Sequence, residues 1–434
     1  MLSDIAYSGA SDLRAPVSPE GETMVDLLTG FTAEIRAKAH ANDQNATFPE
    51  DTFSGFAKVG LMGATVPAEL GGLGVDQLYD LAVGLRVLAE ADASTALAMH
   101  VQLSRALTLT YEWRHGSPAA SALAERLLRG MAAGEAAVCT GLKDAPGVVT
   151  TLARDDSGDW RLSGRKTLVS MAPIGTHFFV HALGPDGDDG ARKLVVPLVG
   201  RDTPGLTVLP DWDGLGMRAS GTLEVDFDNC LVPANDVLDR SRVGARRDAV
   251  LAGQTVSSIT MLGIYAGVAQ AARDIAVEHC ARRGKDIASG LRSLVAETDA
   301  RLYALRAATG AALLNADMLN DDYTMDPDER GRRMMTPFQW AKMTVNDLTV
   351  RVVTDSMSMV GGQAYSAGHP LARLYRDVRA GGFMQPYNYA DAVDFLSGQA
   401  LRLDRDNDYM SVRAVRSQTQ GAVRDPLVEQ GNQS

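Results

Sequence analysis

Few residues in this chain are of types and at spacings that could do chemistry, and those few narrow what it can be. Of seven histidines, only His177 and His181 stand at the HxxxH spacing that chelates a metal on a helix. They flank Phe178-Phe179-Val180, a short β-rich run, and on a strand residues four apart share a face but sit ~13 Å from each other. No metal site is expected. Cys139, Cys230 and Cys280 are odd in number and far apart, with no CxxC pair, which argues against a disulfide scaffold or a zinc site. A reducing, cytoplasmic setting is the expectation. No GxSxG elbow and no Walker loop occurs, so hydrolase and phosphoryl-transfer readings have no support. Gly361-Gly362, lacking Cβ atoms, can let a backbone approach a ligand closely.

The elements that must carry these residues fall into three textures. Met24, Leu27, Leu28, Phe31 and Ile35 recur at the spacing of one helix face, as do Leu78, Leu81, Leu85 and Leu88. After Asp92-Ala93-Ser94, which offers capping side chains, a third helix is predicted through Met99, Leu103 and Leu107. From Ala136 to about Leu238 short β-rich runs alternate with Gly, Pro and Asp clusters, and Leu223, Val225 and Phe227 alternate with Glu224, Asp226 and Asp228 as a half-solvated strand requires. From Ala249 to Leu403 helical patterns return, broken near Asp326-Pro327-Asp328 and at Gly361-Gly362. The expected organisation is an α+β chain with a helical domain at 20–134, a central β domain at 135–240, a helical bundle at 241–405 and a flexible tail at 406–434. A length of 434 residues, 45% apolar and 22% charged, fits a soluble globular protein of several domains. Forty-two basic against 54 acidic residues give −12 with no basic block, so a nucleic-acid footprint is not expected. Neither is a membrane span or signal peptide, because no run of 18 apolar residues occurs and Met1-Leu2-Ser3-Asp4 lacks a basic start.

Three motifs give this order a family. Leu215-Gly216-Met217-Arg218-Ala219-Ser220-Gly221 with Val225-Asp226-Phe227-Asp228 and Val232-Pro233 resembles the LGMRxSG…V.FD…VP signature of the acyl-CoA dehydrogenases. Pro67-Ala68-Glu69-Leu70-Gly71-Gly72-Leu73-Gly74 is similar to the family's P.E.GG.G loop, and Gly361-Gly362-Gln363-Ala364-Tyr365 with Arg376-Asp377-Val378-Arg379 to its GGxGY…RD.R segment. The resemblance covers roughly residues 20 to 405. It implies a helical N-terminal domain, a central β-barrel domain and a C-terminal four-helix bundle, FAD as cofactor, and a homotetramer whose subunits share flavin contacts. By the same resemblance Thr140 and Ser170 take the places of flavin-contacting hydroxyls, which can donate or accept without adding charge. Gly361, Gly362 and Arg283 take those of contacts to the FAD diphosphate or adenosine of a neighbouring subunit.

The departures from the family lie where its chemistry does. Acyl-CoA dehydrogenation needs a base for the α-proton while a hydride leaves to the flavin. At one family position for that glutamate this chain has Gln385, and at the other Ser257. Ser258 replaces a usual arginine, Leu168 a tryptophan, and Gly141-Leu142-Lys143-Asp144-Ala145-Pro146-Gly147 the TEPxAGSD loop. The leading expectation is an FAD-dependent oxidoreductase that desaturates an acyl thioester, carried on CoA or acyl carrier protein, or a related carbonyl substrate, with Gln385 at the catalytic position. The alternatives are a flavin-dependent monooxygenase or oxidase on the same fold, where reduced flavin reacts with O₂ and no α-proton base is required, and an inactive flavin- or acyl-binding homologue.

Overall fold

The structure, a computed structural model, describes residues 12–186, 192–210, 213–242, 248–282, 284 and 287–403. Arg283 and the expected tail 406–434 lie outside the described residues. The chain opens with α1 (Pro19–Asn45), α2 (Glu50–Lys58), α3 (Leu78–Ala91), α4 (Ala93–His115) and α5 (Pro118–Ala132). The starts of α1, α4 and α5 are written locally. The Ser18 hydroxyl accepts from Gly21 N at 3.0 Å, Asp92 from Thr95 N at 2.8 Å and Ser117 from Ala120 N at 3.3 Å, each satisfying a donor that the first helical turn leaves over.

The central block is one twisted sheet of short strands. Its strands are β1 (Val138–Gly141), β2 (Lys143–Asp144), β3 (Thr151–Arg154), β4 (Trp160–Val169), β5 (His177–Val180), β6 (Ala182–Asp186), β7 (Arg192–Gly200), β8 (Leu206–Leu209), β9 (Leu223–Val232) and β10 (Val237–Arg242). They run in the order β1-β5-β7-β6-β3-β4-β9-β8, with β10 on β7 and β2 on β4. Most neighbours are antiparallel, while β1–β5 and β3–β6 are parallel. The alternation read in β9 is real: Val225 and Phe227 are buried and Asp228 is exposed.

Helices then return as α6 (Val250–Val256), α7 (Leu262–Ala281), α8 (Ser289–Asn320), α9 (Pro327–Val360), α10 (Pro370–Asp377) and α11 (Tyr389–Leu401). Both breaks read from the sequence occur: Asp326 caps α9 and Gly361 ends it with φ of 81°. A further break separates α6 from α7, where Ser257 and Ser258 lead into a 3₁₀ turn at Ile259–Met261. Gly263 and Gly267 let α7 press on α3, since a Cβ at either would fall 2.1 Å from Ala82 O or 2.4 Å from Arg86 O. One apolar core therefore runs from Leu28 and Leu85 through Val225 and Phe227 to Ile264 and Phe338. The stretch Val250–Ala281 is long and apolar enough to cross a membrane by composition, but 83% of its most apolar window is buried within this core.

Candidate functional site

The LGMRASG turn is built by contacts that reach all three domains. Gly216 is obligatory because a Cβ would lie 2.5 Å from the Arg376 backbone. That close approach brings Met217 N to Asp377 Oδ1 at 2.7 Å. Arg376 pairs with Asp43 of α1, whose backbone carbonyl also accepts from Arg218 Nε at 3.0 Å. Arg373 pairs with Asp92 at 2.5 Å, both side chains being buried. Asp377 is 1% exposed, and its Oδ2 has no hydrogen-bond partner among the described residues. Burial lifts its pKa to about 7, against the opposing pull of Arg373 and the Met217 N–H.

From this anchor a row of hydroxyls runs outward. Ser220 Oγ donates to Met217 O at 2.7 Å, Ser220 Oγ and Thr222 Oγ1 are 2.7 Å apart, and Thr222 Oγ1 and Ser170 Oγ are 2.7 Å apart. Ser220 is fully buried, Thr222 nearly so, and Ser170 half-buried at the end of β4. Thr140, in β1, is half-buried and accepts from Arg105 Nη2 of α4 at 2.6 Å. The Arg105 guanidinium lies 5.3 Å from the centre of the Phe179 ring on β5. Strands β1 and β4 pack directly, since a Cβ on Gly141 would stand 2.9 Å from Lys166 Cγ. Lys166, 1% exposed, spans from β4 to Asp144 at 2.7 Å, which holds the loop that departs from the family pattern. Uncharged hydroxyls at the ends of two packed strands, each already tied on its inner side, fit a flavin ring edge of carbonyls and ring nitrogens.

Gln385 is half-buried in the turn after the 3₁₀ segment Val378–Phe383. The buried Lys342 of α9 clasps that turn, donating from Nζ to Met384 O and Tyr387 O. Gly361 and Gly362 are exposed just past the far end of α9, whose last residue, Val360, is 18 residues from Lys342 and so roughly 27 Å along the helix axis. One chain does not bring them to Gln385. Ser257 and Ser258 face each other at 3.2 Å, beside a turn that His100 of α4 fixes through Thr260 Oγ1 at 3.1 Å. Burial lowers the His100 pKa to about 4, so it is neutral near pH 7. His177 bonds Thr176 Oγ1 at 2.8 Å, and no cluster of metal-ligating side chains occurs among the described residues. Sequence reasoning missed Arg105, Ser220, Thr222, Lys342 and His100, whose roles depend on partners 35 or more residues away or on a neighbour's hydroxyl.

Comparison with known proteins bears on what this geometry serves. Models of the acyl-CoA dehydrogenase N-terminal, middle and C-terminal domains match residues 18–135, 137–230 and 249–385. L-evernosamine nitrososynthase of a Micromonospora species is 71% identical over 94% of this chain and 97% of its own. The structure of KijD3 in complex with FMN and dTDP-3-amino-2,3,6-trideoxy-4-keto-3-methyl-D-glucose is 60% identical, with a TM-score of 0.92 over 94% of this chain and all of that one. Butyryl-CoA dehydrogenase from Megasphaera elsdenii shares the fold, at 21% identity and a TM-score of 0.76 over 89% of this chain and 99% of that one.

Two expectations are corrected by these relatives. The FAD expectation is overturned, since the flavin bound in KijD3 is FMN. FMN has a single phosphate and no adenosine, so the diphosphate role expected of Gly361, Gly362 and Arg283 is tied to the FAD expectation alone. The expectation of a thioester on CoA or acyl carrier protein is overturned too, since KijD3 is bound to a dTDP-linked amino sugar and the Micromonospora relative is an L-evernosamine nitrososynthase. The physical reason is visible at positions 385 and 257, where an amide and a hydroxyl have no useful basicity toward an α-proton.

Proposed function

Since the chain belongs to the acyl-CoA dehydrogenase family, we propose that it turns that family's flavin site from desaturation to oxygen transfer, oxidising the amine of a dTDP-linked amino sugar to a nitroso group with FMN. The observation that carries this is the FMN and dTDP-amino-sugar complex of a relative 60% identical along nearly the whole chain. Bound reduced flavin supplies two electrons and activates O₂, one oxygen atom going to the amine nitrogen and the other leaving as water. Two such rounds take the amine to the hydroxylamine and then to an N,N-dihydroxyamine, which loses water to give the nitroso compound. Amine nitrogen is itself the nucleophile, so no carboxylate is needed at Gln385 or Ser257, and the Gln385 amide is left to hydrogen-bond substrate without taking a proton. Thr140 and Ser170 hold the ring edge, while the Asp377–Met217 bond and Lys342 fix the two turns that frame it. The same reading expects a homotetramer, which sedimentation equilibrium measures.

Incubation in air with FMN, an NAD(P)H-dependent flavin reductase and a dTDP-linked 3-amino sugar is the direct test. Mass spectrometry should find product carrying one added oxygen, first with and then without two of the amine-side hydrogens. Unchanged sugar, together with flavin bleaching by butyryl-CoA in the absence of reductase, would overturn the proposal.

A further inference from the structure

We infer that Ser220 and Thr222 are positioning residues that hold Ser170 as a hydrogen-bond acceptor toward the flavin, so that the site favours reduced over oxidised FMN. This rests on the reading that a flavin is held at these strand ends. The direction of the hydroxyl row follows from its inner end. A carbonyl can only accept, so the 2.7 Å contact between Ser220 Oγ and Met217 O uses the single Ser220 proton. The 2.7 Å contact from Thr222 to Ser220 must then use the Thr222 proton, and the 2.7 Å contact from Ser170 to Thr222 the Ser170 proton. Ser170 is left with lone pairs alone to present outward. Its inner partners cannot turn to water instead, because Ser220 is 0% and Thr222 8% exposed. The carbonyl at the root is itself immobilised by the bond from Met217 N to the buried Asp377.

Thr140, unlike Ser170, keeps its proton. Arg105 has no acceptor atoms, so at 2.6 Å its guanidinium donates to Thr140 Oγ1 and leaves the threonine proton free to donate. On an isoalloxazine ring, N5 is a lone-pair acceptor when oxidised and carries a hydrogen when reduced, whereas the carbonyl oxygens accept in both states. With Ser170 facing N5, as this inference requires, an acceptor-only hydroxyl repels the oxidised ring and bonds the reduced one. Thr140, which keeps its proton and is backed by the Arg105 cation, suits the carbonyl side, where a reduced anionic ring carries its charge.

The test is the ratio of dissociation constants for oxidised and reduced FMN, the latter measured anaerobically, in the parent and in Thr222→Val, Ser220→Ala and Ser170→Ala. The parent should bind reduced FMN at least tenfold more tightly. Thr222→Val is nearly isosteric and removes the acceptor that takes the Ser170 proton, so Ser170 can donate to oxidised N5. Its ratio should fall about tenfold, chiefly through tighter binding of oxidised FMN, a gain that damage to the fold does not produce. Tenfold corresponds to ~30 mV in the two-electron potential of the bound flavin. Ser220→Ala lets Thr222 donate outward instead and should lower the ratio in the same direction, which covers a Thr222 variant that fails to fold. Ser170→Ala should also lower it, with no additional change in the double variant. An unchanged ratio in Thr222→Val and Ser220→Ala, or equal shifts in both constants, overturns the inference while leaving the flavin site in place. A parent that binds FMN in neither state overturns the flavin reading and the inference with it.

Discussion

Replacing Arg373 with methionine should destabilise the protein by about 3–5 kcal/mol, the usual consequence of removing one partner of a buried ion pair. Arg373 is 8% exposed, and its Nη1 and Nη2 reach Asp92 Oδ1 at 2.5 Å and Ala91 O at 3.4 Å. Methionine keeps most of the packed volume, so the loss reports the charge left behind on Asp92 rather than a cavity. Asp92 keeps two donors, Thr95 N and Thr95 Oγ1 at 2.8 Å each, which places the loss toward the lower end of that range. Unfolding entropy for 434 residues is about 0.9 kcal/mol per kelvin, so 3 kcal/mol corresponds to a fall of roughly 3 °C in melting temperature. Arg373 also opposes the upward pKa shift of Asp377. Without it, ionising Asp377 becomes costlier, so the deficit should widen from about pH 6 to about pH 8. Scanning calorimetry across that range measures both effects. A variant that melts with the parent at every pH would refute the view that Arg373 neutralises charge at the junction of the three domains.

Asp377→Asn keeps an acceptor for Met217 N but removes a titration. Because the folded pKa is raised from 3.8 to about 7, the stability associated with the protonated form is present below pH 3.8 and lost as pH rises to about 7, and the variant should flatten that decline in urea midpoints. His100→Gln should act with the opposite sign: the folded pKa is lowered from 6.5 to about 4, so stability is lost as pH falls through that window, and the acid limb of the variant should be shallower. An acid limb identical to that of the parent would mean His100 is hydrated. Lys342→Met withdraws two bonds from a charged donor, at ~1.5–3 kcal/mol each, and should raise amide exchange across residues 383–388 before it affects the rest of α9. Uniform exchange through α9 would show that Lys342 does not clasp the turn.

Much of the fold could be read because its causes are local. Helix faces repeat within a few residues, Asp92 and Asp326 cap helices three residues ahead, Gly361 ends α9 where its φ of 81° requires glycine, and β9 alternates by its own side chains. The break at Ser257–Ser258 was not legible, since its turn is fixed by His100 from another helix. The chemistry was legible only as a pair of absences, glutamate at neither 385 nor 257. The resemblance then carried FAD and a thioester onto a chain whose near relatives hold FMN and an amino sugar.

Tertiary structure alone decided what the conspicuous motifs are for. LGMRASG reads as a glycine turn before a strand, and nothing near it in sequence announces that Met217 N meets Asp377, 160 residues away. Thr140 and Ser170 are a threonine and a serine at strand ends until Arg105 and Thr222 arrive from 35 and 52 residues off, one donating to Thr140 and the other sharing a hydrogen bond with Ser170. A hydroxyl has both capacities by composition. Which one it shows depends on the partner already bound to it, and that partner is set by how helices and strands pack, which local propensity does not encode.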